Sequence, residues 1–514
     1  MATQEQFIEE INKGYTFKGD SFLLGKAILN KEVVSDAAVK VPLKTLNRHG
    51  LISGATGTGK TKTLQVLSEA LSDASIPVLM MDIKGDLSGI AAKSPGHPKI
   101  DERCQLLGID FVPTAYPVEL LSLSEEAGVR LRATVTEFGP ILLAKVLDLN
   151  STQESILAML FKYCDDNNMP LIDLKDLQSM LQWAANDGKE ELKEEYGTMS
   201  SASIGTIMRK VIALQQQDAD RIFGEKSFEV DDLLRIADDG RGMVNILRVT
   251  DLQDKPKLFS TFMLQLLSEL YATMPEEGDS DQPKLVMFID EAHLIFNDAN
   301  DILIEQLETI VKLIRSKGIG IFFVTQNPTD IAPAVLSQLG LKIQHALRAF
   351  TANDRKAIKQ TAENYPLSEY YDTKEVITQL GIGEALVTLL NEKGIPTPLA
   401  ATMLCAPKSR MDILTDEEIN DIVKRSLLVE KYNKEIDRES AYELINEKIK
   451  EAKEEAPERK VRREKEDKTV IEQLGESSVV RSMMRTAGTM LVRSLLGSLG
   501  LGGTTKRRRS SRRR

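Results

Sequence analysis

The stretch GATGTGKT, Gly54 to Thr61, constrains this chain more than any other. It fits G-x-x-x-x-G-K-[ST], a loop that wraps a phosphate group in backbone amides. Glycines at Gly54, Gly57 and Gly59 allow the close turn, and the cradle runs on through Ala55, Thr56, Thr58, Lys60, Thr61 and Lys62. Lys60 can reach the β- and γ-phosphates of a nucleoside triphosphate such as ATP, and the Thr61 hydroxyl can ligate Mg²⁺. Such a loop needs a buried strand before it and a helix after it, whose positive N-terminus adds to the pull on an anion. GLIS before the loop and TKTLQVLSEAL within and after its end supply both.

Short apolar runs of the same kind recur at PVLMMD, GMVNILRV, KLVMFID and GIGIFFVT, with helical patterns between them. That alternation predicts an α/β protein with a mainly parallel sheet covered on both faces. Between about Glu119 and Asp239 the periodicity turns helical, with few strand signals. Ser151 and Glu154 have capping-box spacing there and mark a helix start. EALVTLLNEKGIPTPLAATM reads as a hairpin turned at Asn391–Gly394. Before the core, FLLGKAILN and AAVKVPL read as small strands. The expected organisation is a leader over 1–45, a nucleotide-binding domain over 46–405 with a helical insertion at about 120–240, a charged helical extension over 406–475, and an amphipathic helix with a basic tail over 476–514.

The strand Leu285 to Ile289 delivers Asp290 and Glu291 at its tip. An aspartate there can hold the Mg²⁺ through water, and the neighbouring glutamate can orient or deprotonate an attacking water. In IRSKGIGIFFVTQNP, Gln326 ends a strand and Arg315 lies just before it. Gln326 is either a reporter of the γ-phosphate or a strand-end hydrogen bond. Arg315 is either a cation offered to a neighbouring subunit's site or a surface charge. In MMDIKGDLSG, Asp82 ends a strand, and Lys84 and Asp86 bracket a glycine turn that either faces the nucleotide or merely caps the strand.

The formal net charge of −11 gives the body no general attraction for nucleic acid. Attraction for a polyanion is concentrated in Lys506–Arg514, where seven of nine residues are cationic. That tail reads equally as a nucleic-acid arm, a patch for an anionic membrane surface together with Val479–Leu499, or a solvated end. Three scattered cysteines, no secretory n- or h-region and no run of eighteen apolar residues point to a cytoplasmic protein without a transmembrane segment.

With these motifs assembled, the sequence resembles the HerA/FtsK superfamily of P-loop ATPases, specifically bacterial proteins with a HerA-like helicase C-terminal domain (YjgR-like). GATGTGKTKTLQ, DIKGDLSG, EFGPILLAKVLDLNSTQ, FIDEAHLIF, IRSKGIGIFFVTQNP and RESAYE carry the resemblance, which spans nearly all of 20–445. It implies a RecA-like core, ATP and Mg²⁺ as ligands, and a hexameric ring acting on DNA. It assigns phosphate and metal contacts to Lys60 and Thr61, the metal to Asp290, water activation to Glu291, a role in trans to Arg315 and a sensor role to Gln326. Archaeal helicases of this family carry an N-terminal β-barrel that helps dock a nuclease. The leader of about 45 residues here is too short for that barrel in full, which counts against a nuclease partner. The acidic body keeps a second reading open, an ATPase that remodels or scaffolds proteins without moving DNA.

Overall fold

The computed structural model describes residues 3–455, apart from 124, 254, 279, 297–300, 435, 437 and 438. The helix expected over 479–499 and the basic tail Lys506–Arg514 lie outside the described residues.

Strands whose alternate side chains are all apolar can bury both faces, and this chain has several. In Leu285–Ile289, Leu285, Met287 and Ile289 join one core while Val286 and Phe288 join the core on the opposite face. Ile319–Thr325 divides the same way, with Ile321 and Phe323 on one side and Phe322 and Val324 on the other. The described strands are β1 (Ser21–Leu29), β2 (Glu32–Pro42), β3 (Gly50–Ser53), β4 (Val78–Asp82), β5 (Val118–Ser122), β6 (Val129–Arg130), β7 (Val244–Arg248), β8 (Leu285–Ile289), β9 (Ile319–Thr325), β10 (Leu341–Gln344), β11 (Glu384–Thr388) and β12 (Ala400–Leu404). They form one sheet in the order β2-β1-β12-β11-β10-β3-β9-β8-β4-β7-β5-β6. From β10 to β6 every pairing is parallel; β10–β11, β11–β12, β12–β1 and β1–β2 are antiparallel. This is a P-loop α/β core extended on one side by an antiparallel flank.

The residues before the glycine loop build more than small strands. They form a nine-residue and an eleven-residue strand that pair with each other and, through Gly25↔Leu404, with β12. The region read as helical contains β5 and β6 as well as the helices Val135–Val146, Ser151–Asp166, Leu174–Ala185 and Ser201–Gln215. Its expected helix start is displaced by one residue. Asn150, not Ser151, is the cap: its side chain accepts the Gln153 amide at 3.0 Å, and Gln153 Oε1 accepts the Asn150 amide at 3.1 Å. A cap of this kind stabilises a helix by about 1 kcal/mol. The hairpin at 391–394 forms as expected, with the Asn391 amide on Ile395 O at 2.9 Å.

Beyond β12 the chain folds back over the helix Lys60–Asp73. The amides of Lys408 and Ser409 donate to the buried Glu69 carboxylate at 2.8 and 3.0 Å. Gln65 Nε2 donates to Arg410 O at 2.9 Å, and the Leu414 amide donates to Ser88 Oγ at 3.0 Å. This strap then leads into the helices Asp416–Arg425, Leu427–Tyr432 and Ala441–Glu455. Among the described residues, no helix is long and apolar enough to cross a membrane.

Candidate nucleotide-binding site

In a parallel sheet, ligands collect outside the carboxyl ends of the strands. Here β3, β9, β8 and β4 are neighbours in that order. Their carboxyl ends therefore bring together Gly54, Gln326, the pair Asp290–Glu291, and Asp82. The loop is tied down on both sides: the Gly54 amide donates to Thr325 O at 3.3 Å and the Ala55 amide to Ala346 O at 2.8 Å. Gly54 has φ 150°, and a Cβ there would lie 2.5 Å from His345 Cβ, so only glycine fits. Thr58 Oγ1 closes the loop on Ala55 O at 2.7 Å. The helix starting at Lys60 has no side-chain cap, which leaves its first amides to a ligand. Lys60 Nζ donates to Gly54 O at 2.7 Å and Ala55 O at 3.3 Å. Burial and the nearby Lys84 ammonium lower the Lys60 pKa, with Glu291, Asp290 and Asp86 opposing.

The acidic side of the site faces that ammonium. Asp290 and Glu291 are both buried, and Asp290 Oδ1 accepts the Glu291 amide at 2.9 Å. Burial pushes the Asp290 carboxyl up to about 6; Lys84 pulls it down and Glu291 pushes it further up. One Glu291 oxygen pairs with the Lys84 ammonium, and the other lies 3.1 Å from His293 Nδ1. The turn after β4 is fixed by Asp82, whose carboxylate accepts the amides of Gly85, Asp86 and Leu87 at 2.7, 3.1 and 3.2 Å. Burial and Asp86 push Asp82 up to about 7, against those amides. Thr61 Oγ1 donates to Asp86 Oδ2 at 3.3 Å, while Asp86 Oδ1 is buried without a hydrogen-bond partner. A hydroxyl and two carboxylates, one with an orphaned oxygen, are the hard oxygen donors that suit Mg²⁺. Among the described residues, no group of three or more His, Cys, Asp or Glu is placed to hold a metal. A phosphate-bound Mg²⁺ does not need such a cage, because it takes one or two carboxylates plus phosphate and water.

Other expected residues fall elsewhere. Gln326 is exposed just past β9, between the glycine loop and Asp290. Lys62 donates from Nζ to Met411 O on the strap. Arg315 is exposed at the start of the turn Arg315–Lys317, before the amino end of β9. A seven-residue strand separates it from Gln326, roughly 20 Å at about 3.3 Å per residue. Beside that end, His49 Nδ1 accepts the Ile321 amide at 3.0 Å, so Nε2 carries the proton and donates to Val311 O at 2.7 Å. Burial lowers the His49 pKa to about 4, against the Val311 bond, and the Arg315 charge lowers it further. The pattern missed His49, His293 and His345, because a lone histidine carries no spacing signal. Asp86 had been visible only as part of a glycine turn.

A family model described as Helicase HerA-like C-terminal matches residues 28–507. The chain belongs to this family. Among its HerA-like relatives is the DNA double-strand break repair helicase HerA of Sulfurisphaera tokodaii, 24% identical over 372 residues, covering 71% of this chain and 67% of that protein. The helicase of the same name from Sulfolobus acidocaldarius is 22% identical over 374 residues, with the same coverage of 71% and 67%. Among solved structures, the bacterial conjugative coupling protein TrwB is similar at a TM-score of 0.49 and 13% identity, over 79% of this chain and 94% of that one.

Proposed function

We propose that this HerA-like chain is a Mg²⁺-dependent ATPase that drives a hexameric ring along DNA. The observation that carries the catalytic part is that Lys60 and Thr61 follow the carboxyl end of β3 while Asp290 and Glu291 follow that of β8, the two strands that flank β9. Lys60 and the amides of Gly54–Thr61 bind the β- and γ-phosphates, while Thr61 and Asp290 hold the cation, with Asp86 beside them. When bound, Mg²⁺ neutralises phosphate charge. Glu291 accepts a proton from the water that attacks the γ-phosphorus; the bond to the β,γ-bridging oxygen breaks, and ADP leaves with that electron pair. Gln326 senses the γ-phosphate. Arg315, too far from its own site, serves the next subunit, where it stabilises charge in the transition state.

The DNA part draws on relatives that are DNA double-strand break repair helicases. We place the protein in the cytoplasm, with the basic tail as a DNA arm or an anionic-membrane contact. The deciding experiment is the ATPase rate of the full chain with and without duplex and single-stranded DNA. A DNA motor is stimulated, and the stimulation falls steeply with salt as phosphate contacts release counterions. The net charge of −11 favours the rival reading, an ATPase that remodels proteins, for which DNA and salt leave the rate unchanged.

A further inference from the structure

The Glu291 carboxylate is in no position to serve water as it stands. Its side chain is only 7% exposed, one oxygen is paired with an ammonium and the other faces an imidazole. Its backbone has φ 47°, unusual for a residue with a side chain. The group that engages it, Lys84, is anchored on the turn fixed by Asp82, and β4 and β8 run side by side through Met81↔Ile289. Lys84 is more accessible than its partner, at 38% against 7%. Burial works against its charge, but pairing with Glu291 and the nearby Asp290 and Asp86 raise its pKa. Lys84 also repels Lys60, the ammonium assigned to phosphate. Two ammonium groups held within range of each other form a pocket for an anion, and a triphosphate is the anion this loop is built to take.

We propose that Lys84 is a positioning residue that clamps Glu291 in the nucleotide-free protein and releases it when the terminal phosphate of a bound triphosphate draws the ammonium away. The clamp rests on the reading of Glu291 as the group that activates water. The release is an equilibrium: in the ATP-bound protein Lys84 divides between the Glu291 carboxylate and the terminal phosphate, and only the released fraction turns over.

The test is steady-state ATPase of the full chain without DNA. Lys84→Met removes the ammonium but keeps the length. It should raise kcat on the order of tenfold, equivalent to about 1.4 kcal/mol off the barrier, while raising KM because a phosphate contact is lost. Structural damage lowers kcat, so a gain cannot come from a merely weakened fold. Lys84→Arg, which can still pair with the carboxylate, should show at most a small part of that gain. Adding Glu291→Gln to Lys84→Met should abolish the gain. A Lys84→Met kcat at or below wild type overturns the clamp, as does an equal gain in Lys84→Arg. Should the Met variant unfold, Lys84→Gln is read by the same criteria. If Glu291→Gln alone turns over like wild type, the reading of Glu291 falls; if it is inactive and Lys84→Met is no faster, only the clamp falls.

Discussion

The two ends of β9 are built from opposite materials. At the carboxyl end, Gln326 emerges into a crowd of buried charge, with Lys60, Asp290, Glu291 and Asp82 all withdrawn from water. At the amino end a neutral imidazole, His49, satisfies one amide and one carbonyl, and a cation, Arg315, faces outward. Buried charge is costly unless something compensates it. The carboxyl end therefore resembles a half-made ion site awaiting a polyanion, whereas the amino end is complete in itself and offers its charge elsewhere. On the function proposed above, one strand would contribute to two different sites.

The sharpest way to break this comparison is at the exposed cation. Arg315→Ala should cost on the order of 10³-fold or more in turnover while nucleotide affinity stays nearly intact. Mixing it with inactive Lys60→Ala protein should restore partial activity, because some interfaces then join an intact loop to an intact arginine. Mixed rings without activity would confine Arg315 to a structural role. At the other end, Glu291→Gln should lose about 10²- to 10⁴-fold in turnover and retain bound ATP, read by filter binding. Unchanged turnover would separate the buried charge from the chemistry.

A smaller effect is expected at His49. His49→Ala strands a buried amide and a buried carbonyl, at about 1–3 kcal/mol each, and thermal unfolding should show it. The wild-type imidazole has a depressed pKa when folded. Its contribution to stability is full above the unfolded value of about 6.5 and is lost as pH falls toward about 4. Unfolding measured across that window should be less pH-dependent in the variant by this share, and equal slopes would count against a buried neutral His49. Least affected is basal turnover on deleting Lys506–Arg514. DNA affinity should weaken and its salt dependence flatten by about 0.9 in log–log slope per lost phosphate contact, while basal ATPase holds. A slope that does not move removes the tail from DNA binding.

The centre of the fold was legible because β3, β4, β7, β8 and β9 are buried on both faces and read as continuous apolar runs. The loop glycines and the acidic pair were legible because their chemistry fixes short spacings. β5 was not: it buries Glu119, which accepts from Arg235 Nη2 at 2.6 Å, and a charged residue inside a five-residue strand spoils the apolar pattern. The N-terminal strands were underestimated because polar residues such as Lys26, Ser35 and Asp36 interrupt them. No local pattern links Lys84 to Glu291. Their meeting depends on β4 and β8 lying side by side, which is a property of topology.

The strap over the helix Lys60–Asp73 sets a schedule for making this protein. Glu69 and the Ser409 amide that satisfies it are 340 positions apart. At synthesis rates of about 5–20 residues per second, roughly 20–70 s pass between the appearance of the two. During that interval the phosphate loop exists, but the helix behind it carries a carboxylate that lacks its partner, and the N-terminal hairpin still waits for β12. Contacts this distant are slow to form and leave apolar surface exposed in the meantime. The phosphate loop is thus made long before the strap that finishes its support, and a chain ended before Lys408 would carry the loop and the acidic pair on an incomplete support.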